Sequence, residues 1–91
     1  MFLSAGAAQG ATVSTTGSSA TGTTAGKLTV TDTKFENDLA YANWNGSGSN
    51  RVTTPGDGKS ATVTVSPLNS FRACRDQGSF NPDNCSSYVN P

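Results

Sequence analysis

The feature that most constrains this chain is an abrupt change in residue texture near Gly26. The segment before it consists almost entirely of Ala, Gly, Ser and Thr, whereas short strand-like runs, turn signals and two cysteines follow it. Residues 11–26 contain one apolar side chain larger than alanine, Val13, and bury too little surface to offset the entropy of ordering. We therefore predict a low-complexity leader over residues 1–26, including a flexible linker, and an all-β domain over residues 27–91.

The start of the leader resembles the end of a secretory signal peptide. Residues 1–11 contain Phe2 and Leu3, followed by small residues at A-x-A-like spacing. A basic n-region and a full apolar stretch are missing, so the alternative is an Ala/Gly-rich terminus with no targeting role. We favour the signal-peptide interpretation, which indicates secretion.

Residues 27–91 show period-two alternation and contain no helix-period stretch. Short runs rich in Val, Thr and aromatic residues recur at roughly ten-residue spacing, and the Pro-Gly-Asp-Gly run at residues 55–58 predicts a hairpin. The pattern predicts a small antiparallel β-sandwich or partly open barrel of about five to six short strands with one disulfide. The predicted core consists of Leu28, Val30, Leu39, Tyr41, Trp44, Val52, Val63, Val65, Leu68, Phe71, Cys74, Cys85, Tyr88 and Val89.

Cys74 and Cys85 are the only cysteines, and a domain of this size buries only about 60% of its unfolded surface. Closing the short loop between them removes unfolded-state freedom worth roughly 3 kcal/mol in the chain-entropy model. We predict a disulfide, against the alternative of two buried thiols, and hence an oxidising compartment. Zinc is disfavoured because the chain has no His and structural zinc sites need four ligands.

Charge and composition exclude several classes of function. Six basic and six acidic residues are spread along the chain with zero net charge, which argues against nucleic-acid binding. No apolar run reaches the length of a membrane span. Without His, Ser-His-Asp and Cys-His mechanisms are impossible, and we predict a protein with no enzymatic activity and no cofactor.

The strongest candidate for a binding element is the loop of residues 75–84, which the predicted disulfide closes. A pinned loop binds a partner with little ordering cost, and its candidate partner contacts are Arg75, Phe80 and Asn81. The alternative is that Phe80 packs beneath the loop and completes a thin core.

Two weaker groups of candidates remain. Asp32, Glu36 and Asp38 surround one turn and offer hard oxygen ligands for calcium, although their spacing matches no EF-hand loop and such acids commonly bond to their own turn backbone. Trp44 and Tyr41 are sugar-binding candidates, because an exposed aromatic ring stacks on a sugar; a core position is the alternative for Trp44.

Three stretches resemble sequences of small secreted actinobacterial proteins. They are VTDTK at residues 30–34, AYANW at residues 40–44, and FRACRD at residues 71–76, which a second Cys follows. The resemblance spans about residues 27–89 and departs at Asn37-Asp38, where such proteins often carry Asp-Gly. The resemblance implies that the protein is bacterial and secreted and that it folds as a small β-sandwich. It implies no particular activity.

Together these patterns predict a secreted, monomeric, non-enzymatic binding domain at or outside the cell surface. Its partner is an extracellular protein or a surface polysaccharide. The alternatives are an inhibitor of an extracellular hydrolase that presents residues 75–84, and a carbohydrate-binding module that uses Trp44 and Tyr41. An exposed Trp44 favours sugar binding, and a projecting Phe80 favours inhibition.

Overall fold

The computed structural model describes residues 10–35, 38–78 and 81–91, and these residues form eight β-strands. The strands are β1 Gly10–Thr15, β2 Ser18–Thr23, β3 Lys27–Asp32, β4 Ala40–Trp44, β5 Ser47–Thr53, β6 Ser60–Thr64, β7 Phe71–Arg75 and β8 Asn84–Cys85. The described part of the chain contains no helix, and so none that is long and apolar enough to cross a membrane. The prediction of an all-β fold is confirmed.

The strands form two antiparallel four-stranded sheets. The first sheet has the order β1-β2-β3-β6, and the second has the order β5-β4-β7-β8. β3 and β6 are neighbours in one sheet, and the strands that follow them, β4 and β7, are neighbours in the other. The chain therefore crosses between sheets at the β3–β4, β5–β6 and β6–β7 connections, as in other small β-sandwiches.

The first two strands lie in the segment for which we predicted a flexible linker. β1 and β2 pair without interruption from Gly10 opposite Thr23 to Thr15 opposite Ser18, and β2 pairs in turn with β3. β2 is thus an internal strand, in which Ser18 and Ala20 are fully buried. The predicted domain boundary is wrong, because the sandwich includes the strands before it. Residues 1–9 lie outside the described residues, so the signal-peptide interpretation stays a prediction.

Gly22 of β2 is matched to two large side chains, Phe71 of the opposite sheet and Leu68 of the β6–β7 connection. A Cβ atom added to Gly22 would lie 2.6 Å from Cε1 of Phe71 and 3.1 Å from Cδ2 of Leu68. Phe71 is fully buried, so its ring fills the space that the glycine leaves open. The prediction was wrong because it counted only the apolar area of the leader. Close packing depends on the fit between both surfaces.

The core largely follows the predicted pattern. Its predicted members are either buried (Leu28, Val30, Tyr41, Leu68, Phe71, Cys74), partly buried (Trp44, Val52, Val63, Val65, Cys85, Tyr88, Val89) or, for Leu39, exposed. Leu39 precedes β4 in the β3–β4 connection and is 37% exposed, so its assignment to the core is wrong. The core also contains alanines that the prediction omitted: Ala20, Ala40, Ala42 and Ala73.

The prediction that residues 55–58 close a hairpin is also wrong. β5 and β6 belong to different sheets, so the Pro-Gly-Asp-Gly run crosses the sandwich. The hairpin joins β4 to β5 through Asn45 and Gly46, with Trp44 opposite Ser47. Asn45 (φ 55°) and Gly46 (φ 73°) both adopt the positive φ that a two-residue type I′ turn requires.

Candidate functional site

The predicted disulfide is present in the second sheet. Cys74 of β7 lies directly opposite Cys85 of β8, their Cα atoms are 4.1 Å apart, and their sulfur atoms are bonded. The bond closes the base of the β7–β8 loop, residues 76–83. A disulfide is compatible with an extracellular location, where such bonds form and persist.

Polar contacts hold the described part of the β7–β8 loop. Asp83 accepts a hydrogen bond from the Tyr41 hydroxyl, and Nη2 of Arg51 lies 3.8 Å from Oδ2 of Asp83. Across the loop, Nε2 of Gln77 donates to the carbonyl oxygen of Pro82 at 3.1 Å. These contacts and the disulfide restrain both ends of the loop, which lowers the entropy cost of binding a partner.

The structure bears differently on the three residues predicted to contact a partner from this loop. Asn81 is exposed, whereas Phe80 lies outside the described residues, so its projection from the loop stays a prediction. Arg75 is only 3% exposed, and its Nη2 atom lies 3.5 Å from Oδ2 of Asp38. Its guanidinium packs against Gly17, where an added Cβ atom would overlap it. Arg75 therefore fills one end of the sandwich and is not a surface contact.

The carboxylates proposed as calcium ligands have structural roles where they are described. Asp32 is 1% exposed, and its Oδ1 atom accepts a hydrogen bond of 3.0 Å from the backbone N–H of Lys34, as turn aspartates do. Asp38 pairs with Arg75, and Glu36 lies outside the described residues. Among the residues that the structure describes, no group of three or more His, Cys, Asp or Glu could hold a metal ion.

Neither of the two aromatic residues proposed for sugar binding presents an exposed ring. Trp44 is partly buried against the core. Tyr41 is 4% exposed, and the guanidinium carbon of Arg51 lies 3.5 Å from the centroid of its ring. Because Arg51 covers this ring face, Tyr41 does not present an open platform for a sugar.

The outer face of the second sheet brings together polar residues that are distant in the sequence. Arg51 of β5, Asn43 of β4 and Arg72 of β7 lie side by side in register. At a strand spacing of about 4.7–4.9 Å, the Cα atoms of the two arginines are about 9–10 Å apart. We call the surface around this row the arginine–tyrosine face, and its members are Tyr41, Asn43, Arg51, Arg72, Asp83 and Tyr88.

Asn43 orients Arg72 within this face. Asn43 is 1% exposed, and its Nδ2 atom donates to the carbonyl oxygens of Gly48 (3.4 Å) and Asn50 (3.0 Å). Its Oδ1 atom accepts a hydrogen bond of 3.0 Å from Nε of Arg72, whose guanidinium carbon lies 4.9 Å from the Tyr88 ring centroid. Within the part of the chain that the structure describes, Nη1 and Nη2 of Arg72 make no hydrogen bond. The guanidinium is thus held in place while its two terminal nitrogens remain available to a ligand.

Tyr41 titrates above its usual range. Burial is the main reason that its pKa rises to about 12, and the hydrogen bond to Asp83 and the charge of that carboxylate act in the same direction. The positive charges of Arg51 and Arg72 oppose this rise. At neutral pH Tyr41 is therefore a neutral hydrogen-bond donor to Asp83.

Comparison with known proteins identifies no relative. No protein-family model matches the chain, and no curated protein or solved structure matches it. The resemblance to small secreted actinobacterial proteins stays a prediction, and the assignment of function depends on the geometry of the described surfaces.

Arg51 and Arg72 were not predicted as site residues, because neither belongs to a sequence motif. The alternation of Phe71, Arg72 and Ala73 does indicate that Arg72 points away from the core, and Arg51 before Val52 follows the same rule. Nothing in the local pattern shows that β5, β4 and β7 are neighbours in that order. That adjacency brings both arginines beside Asn43.

Proposed function

We propose that this protein is a secreted, monomeric, non-enzymatic binding domain whose contact surface is the arginine–tyrosine face. The partner that fits this face is an extracellular protein with an exposed acidic segment. The supporting observation is the state of Arg72, which Asn43 and Tyr88 hold while Nη1 and Nη2 remain without a hydrogen bond among the described residues. A guanidinium in this state can donate two parallel hydrogen bonds to one carboxylate.

The composition of the face supports a protein partner. Arg and Tyr are enriched where protein interfaces concentrate their binding energy. Arg51 and Arg72 carry two positive charges against the one negative charge of Asp83, so an acidic partner is favoured. Arg51 is stacked on Tyr41 and Arg72 on Tyr88, which reduces the side-chain entropy lost on binding.

The shape of the molecule supports contact with a surface. The described residues enclose no cavity, whereas small-molecule sites are concave and bury most of their ligand. The disulfide is compatible with work outside the cell, where the proposed partner lies.

A second candidate function is inhibition of an extracellular hydrolase by the β7–β8 loop. The observation that favours it is the restraint of both loop ends by the Cys74–Cys85 bond and by the contacts of Asp83 with Tyr41 and Arg51. A loop held in this way can enter an active site without a large loss of entropy. Asn81, one of the predicted partner contacts of this loop, is exposed.

Titration of the protein with poly-L-glutamate, followed by calorimetry and by amide chemical shifts, tests the principal proposal. We expect binding that weakens with added salt and shifts centred on the arginine–tyrosine face. Arg72→Lys keeps the charge but loses the planar fork, and we expect it to weaken binding by at least about tenfold, since hydrogen bonds to charged groups contribute roughly 1.5–3 kcal/mol. Lys59→Ala removes a charge from an exposed connection and should leave binding unchanged.

The same titration separates the proposals. Equal binding by the natural protein and by Arg72→Lys would contradict the role of Arg72. Shifts confined to residues 76–83 would support the loop as the contact surface instead. Thermal unfolding of both variants establishes that each retains the fold.

A further inference from the structure

The outer face of the first sheet carries hydroxyl side chains in two complete rows, with one residue from each strand. The first row is Thr12, Thr21, Thr29 and Thr62, and the second row is Ser14, Ser19, Thr31 and Ser60. We call these residues the hydroxyl face. They alternate with the inward-facing residues of each strand, so the whole set points away from the core.

Cross-strand hydrogen bonds fix these hydroxyl groups. Their oxygen atoms lie 2.7–3.1 Å apart in the pairs Thr12–Thr21, Ser14–Ser19, Thr29–Thr62 and Thr31–Ser60. A hydroxyl has one donor proton and two acceptor lone pairs. Each pair therefore consumes one proton and leaves one proton and several lone pairs for an external ligand, at a position that the sheet determines.

The hydroxyl face is also regular. The bonded hydroxyl pairs recur at every second strand, about 9.4–9.8 Å apart across the sheet, and at every second residue, about 6.6–6.8 Å apart along the strands. All strand pairs of the first sheet keep continuous register, whereas the β4–β5 pair of the second sheet has an irregularity between Asn43 and Trp44. Bulges increase twist, and ladders of specific side chains favour flat sheets. The hydroxyls therefore form a two-dimensional array with fixed repeats.

The hydroxyl face has no charge within it. The charged residues that adjoin it are Lys27 at the margin opposite Thr64, the exposed Lys59 just before β6, and Asp32, which is buried on the inner side of β3. Exposed strands ordinarily carry Lys and other charges, which discourage association. An uncharged face complements an uncharged partner, because a charged one would lose its hydration here and find no opposite charge. The rows also contain no aromatic ring on which a sugar could stack.

We propose that the hydroxyl face binds the surface of ice. Ice is an uncharged, periodic array of molecules that donate and accept hydrogen bonds, and a threonine or serine hydroxyl does both. Hydroxyls at fixed repeats can take the place of lattice waters, while the threonine methyl groups order the water between rows. Charged side chains would keep hydration shells that do not match the lattice. This proposal concerns the sheet opposite the arginine–tyrosine face and does not depend on the function proposed for that face.

Measurement of the gap between melting and freezing temperatures, with observation of ice-crystal shape, tests this proposal on the full chain. We expect the natural protein to open such a gap and to give faceted crystals. Thr21→Lys places a charge on the internal strand β2, inside the array, and should abolish both effects. Thr53→Lys adds the same charge at an exposed position of β5, on the other sheet, and should leave both effects unchanged.

A second variant, Thr29→Lys on β3, guards against a folding defect at Thr21, and thermal unfolding establishes which variants are folded. Absence of the freezing gap in the natural protein would overturn the proposal, as would a gap that survives in folded Thr21→Lys or Thr29→Lys. Two further results would overturn it by assigning the face to another occupant. The first is a dimer, detected by light scattering, that dissociates in Thr21→Lys. The second is binding to crystalline cellulose or chitin that is lost in Thr21→Lys, together with the absence of a freezing gap in the natural protein.

Discussion

Tyr41 and the two arginines of β7 show how position on a strand decides the role of a polar side chain. Arg72 and Arg75 lie on the same strand but on opposite faces of the sheet. Arg72 stacks on Tyr88 at the surface, while Arg75 is buried at one end of the sandwich beside Asp38. Tyr41 faces outward yet is buried, because Arg51 covers its ring.

The raised pKa of Tyr41 predicts that the protein loses stability in strongly alkaline solution. An unfolded chain releases the tyrosine proton near pH 10, whereas the folded protein retains it up to a pKa of about 12. Between these values the unfolded state binds fewer protons, so a rise in pH favours unfolding. The stabilising contribution of the neutral hydroxyl is complete below about pH 10 and is lost as the pH passes about 12.

Urea unfolding at a series of alkaline pH values measures this contribution. Tyr41→Phe removes the titrating hydroxyl, so its free energy of unfolding should approach that of the natural protein as the pH rises from about 10 to 12. Other groups titrate alike in both proteins and cancel in the difference. A difference between the two proteins that stays constant over this range would show that Tyr41 does not hold its proton more tightly in the folded state.

Among the strands, β2 is where composition is most misleading. Its residues are Ser, Ala, Thr and Gly, which predict a linker when only their own apolar area is counted. In the sandwich Ser18 and Ala20 are fully buried and Gly22 packs against Phe71 and Leu68, while the alternating Ser19 and Thr21 belong to the hydroxyl face. The strand exists because its neighbours on both sides and its partner across the core fit it.

Gly22→Val tests this fit. The new side chain begins 2.6 Å from the Phe71 ring, and overpacking of this kind costs about 1–3 kcal/mol of unfolding free energy. The matched control is Gly48→Val in β5, where an added Cβ meets nothing within 4 Å, and we expect a change within about 0.5 kcal/mol. Chemical denaturation compares the two. Equal stabilities would indicate that the leader does not pack against the second sheet.

The complete sandwich presents two unlike surfaces on its opposite sheets. The first sheet carries an uncharged array of hydroxyls, and the second carries two arginines, two tyrosines and a disulfide-closed loop. The sheets are held together by a core built mainly of alanines, valines, two leucines and one phenylalanine. A core of such small residues contributes modest burial energy per residue, which makes the disulfide important to the whole molecule.

We expect reduction of the Cys74–Cys85 bond to lower the unfolding free energy by about 2–4 kcal/mol, because the bond restricts the unfolded chain. Urea unfolding with and without reductant measures the loss, and Cys74→Ser with Cys85→Ser should reproduce it. Intact mass should show that reductant adds one hydrogen to each sulfur. Two titratable thiols in the untreated protein would contradict the bond.

Local information in the chain was sufficient for the all-β class, the disulfide and most of the large core residues. Period-two alternation reports which side of a strand is buried, and two cysteines in a small domain have few alternatives. Local information could not predict the order of the strands, because adjacency depends on packing between segments that are distant in the sequence. From the sequence alone Gly22 resembles a linker residue, and only the tertiary structure shows that the Phe71 ring packs against it. Likewise, Arg51 and Arg72 are ordinary surface charges until the sheet sets both beside Asn43.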